Sequence, residues 1–157
     1  MSNTKKLALS AVFAALYIAV TLLTHAFSFG AIQVRISTSI YALAFLLPFL
    51  TVPLGLANGL ANLFGGNGMW DVFGGVAIGI IVAGACALVA RQKWSPLLVI
   101  PIIIALPALI VPLWLAPILA LPYLPLVGSI ALGQIAPGIL GYFLVRSLNK
   151  HMEGQRS

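Results

Sequence analysis

Residues 61–75 read ANLFGGNGMWDVFGG and hold Asp71, the one carboxylate side chain that precedes the C-terminal tail. Long apolar runs flank this stretch on both sides. A charge at the centre of a bilayer costs about 2.5–3.5 kcal/mol on insertion scales, so an acid among apolar runs usually pairs, faces water or binds a ligand. A carboxylate also stabilises the first turn of a helix by capping it. Capping and ligand binding can share Asp71, and both interpretations stay open.

The composition indicates an integral membrane protein. Of the 157 residues, 62% are hydrophobic and only 6% are charged, which is too apolar for the surface of a water-soluble domain of this size. The net charge of +6 comes from basic residues clustered in short segments between apolar runs. This placement is typical of topology signals rather than of a nucleic-acid groove. The single cysteine, Cys86, lies in an apolar run, so neither an internal disulfide nor a metal-ligand cluster is expected.

The apolar runs predict six membrane spans, at residues 7–24, 36–50, 53–64, 70–90, 96–116 and 126–148. The first run is about 27 Å long as a helix at about 1.5 Å per residue, which is enough to cross the hydrocarbon core. It resembles a secretory signal, but more membrane segments follow it, so we expect a retained span. Pro48 and Pro53 favour a break within residues 36–64. The fifth span contains several prolines, so its shape is left open.

The distribution of basic residues supports six spans with both termini in the cytoplasm. The inner side then receives most of the basic side chains, namely Lys5, Lys6, Arg91, Lys93, Arg146, Lys150 and Arg156. Arg35 alone faces outward, in agreement with the positive-inside bias. We therefore predict an all-α membrane protein, a compact six-helix bundle forming one domain over residues 1–157. The predicted outer loops are residues 25–35, 65–69 and 117–125.

The sequence argues against an enzyme. Nucleophilic catalysis needs a nucleophile beside a base, whereas His25, Cys86 and His151 are scattered across the predicted topology. The chain also lacks a Gly-rich phosphate loop with its lysine, so it is not expected to hydrolyse nucleotides. No cofactor is expected.

A binding site is better supported by the polar residues near the predicted outer face. Asn62, Asn67 and Asp71 lie within ten positions of one another around the turn between the third and fourth spans. Their amide and carboxylate oxygens can accept several hydrogen bonds. Gln33 and Arg35 of the first outer loop supply donors to the same mouth. An ion pair between Arg35 and Asp71 is the structural alternative.

Aromatic residues on the outer side can provide flat apolar walls for an aromatic solute. Trp70 and Trp114 are the main candidates, accompanied by Phe27, Phe29 and Tyr123. An interfacial belt is the alternative role for each tryptophan.

Small residues recur at intervals of four in three spans: Ala11, Ala15 and Ala19; Gly55 and Gly59; and Gly75 and Gly79. Small side chains let helices approach closely within a membrane. For the glycine pairs we expect packing inside the bundle. For the alanine face, which lies near the cytoplasmic end of the first span, a partner protein is at least as good an explanation.

Three motifs together resemble the QueT family of queuosine-precursor transporters, which are substrate-binding S components of energy-coupling-factor (ECF) transporters. They are SFGAIQVRIS at residues 28–37, ANLFGG at residues 61–66 and DVFG at residues 71–74. The resemblance covers most of residues 8–90 well and the remainder weakly. Ala11 and Ala15 match the small-residue motif by which such proteins dock on the transmembrane coupling subunit.

The resemblance implies a six-helix protein of a bacterial or archaeal cell membrane that captures a micronutrient from outside. A transmembrane coupling subunit and two ATPase subunits would be its partners, and ATP hydrolysis would belong to those ATPases. A deazaguanine ligand suits the residues. Asp71 can accept from its ring N–H and exocyclic amine, and Gln33 or Asn62 can donate to its carbonyl.

Departures from the family pattern leave the substrate open. Thr38 stands where the family commonly has a glutamate, and Pro107 stands where it tends to have an asparagine. Gly133 and Gln134 stand where the family has Gly-Glu, so that Gln134 replaces the glutamate. Gln134 is included in the predicted site, and the loss of acids implies a ligand less cationic than the aminomethyl deazaguanine precursor. The alternatives to an S component are a stand-alone carrier or channel and an assembly subunit without a ligand.

Overall fold

The computed structural model describes residues 1–29 and 33–154, with side chains described up to residue 151, and this part of the chain contains helices and no strands. Its α-helices, in chain order, are α1 (Asn3–Leu23), α2 (His25–Ser28), α3 (Thr51–Asn62), α4 (Met69–Arg91), α5 (Val99–Ile110), α6 (Pro112–Leu119) and α7 (Tyr123–Gly154). Three 3-10 helices complete the described part, at Ile36–Phe45, Pro48–Leu50 and Pro96–Leu98. We call Ile36–Phe45 the central segment. The prediction of an all-helical protein is confirmed.

Among the described residues, three helices are long and apolar enough to cross a membrane, namely Asn3–Leu23, Met69–Arg91 and Tyr123–His151. The helices Pro96–Ile110 and Pro112–Leu119 form a pair bent by 43°, which makes a fourth span if it crosses as one. The central segment and α3 are shorter than the roughly 20 residues that a straight span needs. The chain is therefore a multi-pass membrane protein, and the count of six spans with cytoplasmic termini stays a prediction.

The predicted break within residues 36–64 lies at Leu46–Leu50. The helix expected over residues 36–50 ends at Phe45, and it has 3-10 rather than α geometry. Pro48 is the first residue of the next 3-10 helix. A backbone N–H at that position has no partner within the helix, so the missing N–H of proline costs no hydrogen bond. Pro53 lies in the first turn of α3, a position that proline tolerates, so the break falls slightly ahead of it.

The central segment is the most enclosed element of the described chain, since each residue from Ser37 to Ala44 is buried. It packs against α1, α4 and α7. Hydroxyl groups connect it to α1: Tyr17 and Tyr41 share a hydrogen bond of 2.8 Å, and Thr21 donates to Ser37 over 2.6 Å. A 3-10 helix of ten residues is unusually long, and contact on several sides accounts for its persistence here.

The proline-rich region divides differently from the sequence prediction. α6 ends at Leu119. Ala120, which caps it, adopts a left-handed conformation with φ 51°. α7 begins at Tyr123, three positions ahead of the predicted start, and the Tyr123 hydroxyl donates to Leu109 O over 2.7 Å. Tyr123 thus ties α7 to α5 and is not an aromatic wall of the cavity described below. In the first predicted outer loop, α2 covers His25–Ser28, and residues 30–32 lie outside the described part.

Glycines bring α3 and α4 into backbone contact, as expected from their spacing. A Cβ atom on Gly79 would lie 2.7 Å from Gly55 Cα and 3.1 Å from the Tyr41 hydroxyl. A Cβ on Gly75 would lie 2.6 Å from Asn62 Nδ2. Close approach of the two backbones is what allows short side chains on α3 to reach the backbone of α4.

Replacement of Gly79 by alanine is expected to lower the free energy of unfolding by about 1–3 kcal/mol, because the added methyl group overpacks the α3–α4 contact. Gly128→Ala is the matched control, since a Cβ there meets no atom within 4 Å. Its stability should be unchanged or raised by up to about 1 kcal/mol. Unfolding of both variants in detergent measures the difference, and equal stability would contradict the packing described for α3 and α4.

Candidate functional site

A small polar cavity lies between the central segment and the helices α3, α4, α6 and α7. Its volume is about 30 Å³. It is lined by Gln33, Arg35, Thr38, Tyr41, Asn58, Asn62, Asp71, Gly75, Ile78, Pro107, Val111, Trp114, Leu115, Ile130 and Gln134. Buried polar side chains within a membrane domain are costly and usually functional, so this cluster is the candidate site.

Arg35 immediately precedes the central segment, and it lines this cavity. Its Nη1 donates to Asn58 Oδ1 over 2.7 Å, and its Nη2 donates to Asn62 Oδ1 over 2.9 Å. The two asparagines lie one helical turn apart on α3, so their side chains share one face. The guanidinium therefore binds two acceptors with its planar pair of donors.

The two asparagines are oriented by the backbone of α4. Asn58 Nδ2 donates to Gly75 O over 2.7 Å, and Asn62 Nδ2 donates to Asp71 O over 2.9 Å. A backbone carbonyl can only accept, so each amide must turn its nitrogen toward α4 and its oxygen toward Arg35. Because Asn58 and Asn62 are only 2% and 3% exposed, each has its polar atoms satisfied inside the protein.

Asp71 is 4% exposed and lies in the first turn of α4, where a carboxylate interacts favourably with the helix N-terminus. The N-cap residue is Gly68, with φ 81° and no capping side chain. The carboxylate accepts from Trp114 Nε1 over 3.1 Å and from Asn67 Nδ2 over 3.3 Å. Hydrogen bonds to α6 and to the preceding loop thus hold Asp71 in place.

The alternative of an Arg35–Asp71 ion pair is wrong for this structure. Arg35 directs its guanidinium to the asparagines, whereas the carboxylate of Asp71 accepts from Trp114 and Asn67. Both charged groups line the same cavity and keep separate hydrogen-bond partners.

Thr38 and Gln134 connect the central segment to α7 at the cavity wall. Thr38 Oγ1 lies 2.5 Å from Gln134 Oε1 and 2.7 Å from Arg35 O. Both residues are buried. The sequence departs from the family pattern at both positions. The two neutral side chains form a hydrogen bond with each other.

Aromatic residues pack beside Arg35. The Arg35 guanidinium carbon lies 4.8 Å from the centre of the Phe29 ring, which is a cation–π distance. The His25 ring lies 4.9 Å from the Phe29 ring, and His25 Nε2 lies 3.1 Å from Phe64 O. α2 is therefore attached to the end of the α3 region through His25.

Of the eight residues predicted to bind substrate, six line this one cavity: Gln33, Arg35, Asn62, Asp71, Trp114 and Gln134. Asn67 does not line it but holds Asp71 through a hydrogen bond. Trp70 lies elsewhere, since its side chain is 76% exposed, which agrees with the interfacial alternative. Phe27 is also exposed and is not a cavity wall.

The predicted site omitted three polar lining residues: Asn58, Tyr41 and Thr38, the last noted only as a departure from the family pattern. A signal for Asn58 was present, because it precedes Asn62 by one helical turn and faces the glycine side of α3. Tyr41 lies in a nearly continuous apolar run, and nothing in the local pattern distinguishes it from a core residue.

The cavity is too small to hold an organic ligand. A water molecule needs about 10–15 Å³ by this kind of measure, so the cavity has room for roughly two waters. Sites for small organic ligands commonly measure about 300–1,000 Å³. A ligand larger than water must therefore displace a side chain, and Arg35 is one of the side chains that line the cavity.

Comparison with known proteins assigns the chain to a transporter class. A family model described as QueT transporter matches residues 7–150, which is nearly the whole chain. No curated protein and no solved structure shows significant similarity to this chain.

Replacement of Trp114 by phenylalanine is expected to lower the free energy of unfolding by about 1.5–3 kcal/mol, because the buried Asp71 carboxylate loses a donor. Trp70→Phe is the matched control and should change stability by less than about 0.5 kcal/mol, since that side chain is exposed. Thermal unfolding in detergent compares the two variants. Equal losses would show that the indole–carboxylate bond does not stabilise the site.

Proposed function

The chain belongs to the QueT transporter family, and from this membership and the polar cavity we propose that it is the substrate-binding S component of an ECF transporter. It is a membrane transport protein for a small molecule. We propose that it captures a queuosine precursor or a related deazapurine at the outer face of a bacterial or archaeal cell membrane. The predicted six-span topology, with cytoplasmic termini, places residues 25–35 and 65–69 at that face.

The observation that carries the proposal is the set of preorganised polar groups around one cavity in a very apolar chain. Asn58, Asn62 and Asp71 present acceptors that neighbouring groups already hold in position. A deazaguanine offers several N–H donors and one carbonyl, so it can engage both the acceptors and a donor such as Gln33. The indole ring of Trp114, which lines the cavity, suits its flat face.

The charges around the cavity favour a neutral base over a cationic one. Arg35 and Asp71 are the charged residues among those lining the cavity, and their charges are opposite. Thr38 and Gln134 are neutral and bonded to each other. A ligand with an ammonium group would add a charge for which the cavity has no second carboxylate, and an uncompensated charge in such an environment is unfavourable.

The outward face of α1 supports a partner protein. Ala11, Ala15 and Ala19 are exposed, whereas Tyr17 and Thr21 on the opposite side are buried against the central segment. In the apolar 18-residue stretch of α1, only 11% of the residues are buried, compared with 39% in the corresponding stretches of α4 and α7. Small residues on an uncovered membrane helix suit close helix packing. We propose that this alanine face docks on the transmembrane coupling subunit, which is joined by two ATPase subunits.

Replacement of Asp71 by asparagine is expected to weaken binding of a neutral 7-deazaguanine by roughly 10- to 150-fold, the loss for a hydrogen bond to a charged group. Titration calorimetry on the purified protein measures this affinity. Asn67→Ala is the control, because it removes a partner of Asp71 but leaves the carboxylate in the cavity. Unchanged affinity in Asp71→Asn would contradict the proposed ligand role of Asp71.

Replacement of Ala15 by tryptophan is expected to abolish co-purification with the coupling subunit and its ATPases and to reduce uptake to background. The bulky ring would hold the partner helix away from α1. Ala77→Trp is the matched control, because Ala77 is an exposed alanine on α4. Uptake that persists in cells without these partners would instead support a stand-alone carrier or channel.

A further inference from the structure

A guanidinium occupies the two asparagine oxygens at the cavity wall. Two N–H groups of Arg35, on different nitrogens of one planar unit, donate to Asn58 Oδ1 and Asn62 Oδ1 at 2.7 and 2.9 Å. A guanine-type base carries a closely related unit, since its ring N1–H and exocyclic amine are attached to one carbon and point the same way. The side chain and the base thus offer the same donor pattern to the same pair of acceptors.

We propose that the Arg35 guanidinium occupies the subsite for the donor edge of the ligand and that the ligand displaces it on binding. Asn58 and Asn62 then recognise this edge in place of Asp71, and the Asp71 carboxylate is left to accept from another N–H of the ligand. The inference rests on the proposed function for the identity of the ligand, but the subsite itself is defined by Arg35 and the asparagines alone.

The two acceptors cannot turn away when Arg35 leaves. Each amide nitrogen is bonded to a backbone carbonyl of α4, at Gly75 and Asp71, which fixes the direction of the oxygen. Both asparagines are almost fully buried, so a vacated subsite leaves two acceptors without a protein partner. Water molecules can satisfy these acceptors separately, whereas a ligand with two suitably spaced donors satisfies both at once. This pairing favours guanine-type over hypoxanthine-type bases, which lack the exocyclic amine.

Arg35 has the properties of a displaceable group. It is only partly buried, and it lies ahead of the central segment rather than within it. Its charge has neutral amide partners, so its departure breaks no ion pair. The Phe29 ring, 4.8 Å from the guanidinium carbon, provides a cation–π contact outside the set of residues that line the cavity. Withdrawal of the guanidinium also enlarges a cavity that has room only for water.

The first test replaces the side chain by the free ion. Purified Arg35→Ala is heated in detergent with low millimolar guanidinium chloride, and the same variant with ammonium chloride is the reagent control. Guanidinium should raise the melting temperature of Arg35→Ala, because a ligand of the folded state stabilises it. It should leave the wild type and the matched variant Arg91→Ala unchanged, since in both proteins the subsite is filled. No stabilisation of Arg35→Ala, or equal stabilisation of all three proteins, overturns the proposal.

The second test measures affinity for 7-deazaguanine. If Arg35 competes with the ligand, its truncation removes the competitor, and Arg35→Ala should bind roughly 10- to 100-fold more tightly than the wild type. Arg35→Lys keeps the charge but loses the paired donors, and it should also bind more tightly, which decides the matter if Arg35→Ala does not fold. Weaker or unchanged binding in the folded variants overturns the proposal.

The two proposals fail in different ways. Guanidinium binding is measured without transport partners, so it holds even if no coupling subunit co-purifies. Conversely, loss of deazaguanine binding in Asp71→Asn together with weaker binding in Arg35→Ala would leave the transport function standing and remove the displacement of Arg35.

Discussion

The pair of hydrogen bonds from Arg35 to Asn58 and Asn62 is the interaction on which the described site depends. Because each asparagine also donates to the backbone of α4, one polar network joins the start of the central segment to α3 and α4. Hydrogen bonds are strengthened in a low-dielectric interior, and unpaired polar groups there are correspondingly unfavourable. The network therefore positions three helices and at the same time defines which ligand groups can replace the guanidinium.

Close packing of α3 on α4 makes this network geometrically possible. Asparagine is short, and it reaches the carbonyls of Gly75 and Asp71 only because glycines let the two helices touch. The apolar remainder of the bundle contributes by surrounding the cavity with a low-dielectric interior. The close packing of α3 on α4 thus underlies both the helix contact and the polar site. It explains why a chain with so few charged residues has its amides on one face of α3.

Much of this fold and site follows from the sequence, and the exceptions have physical causes. Hydropathy identified the membrane class, and Pro48 marked the break after the central segment within a few residues. Periodicity could not show that this segment is a 3-10 helix, because that geometry results from contacts on several sides. Charge alone suggested an Arg35–Asp71 pair, whereas the fold brings Trp114, distant in the chain, to the carboxylate. Tertiary contacts of this kind leave no local pattern.

The most direct test of the account is the structure of the purified protein bound to 7-deazaguanine. We expect the base between Asn58, Asn62 and Asp71, with its donor edge on the two asparagine oxygens and the Arg35 guanidinium withdrawn toward Phe29. A ligand bound elsewhere, or a base in the cavity with both Arg35–asparagine hydrogen bonds intact, would contradict it.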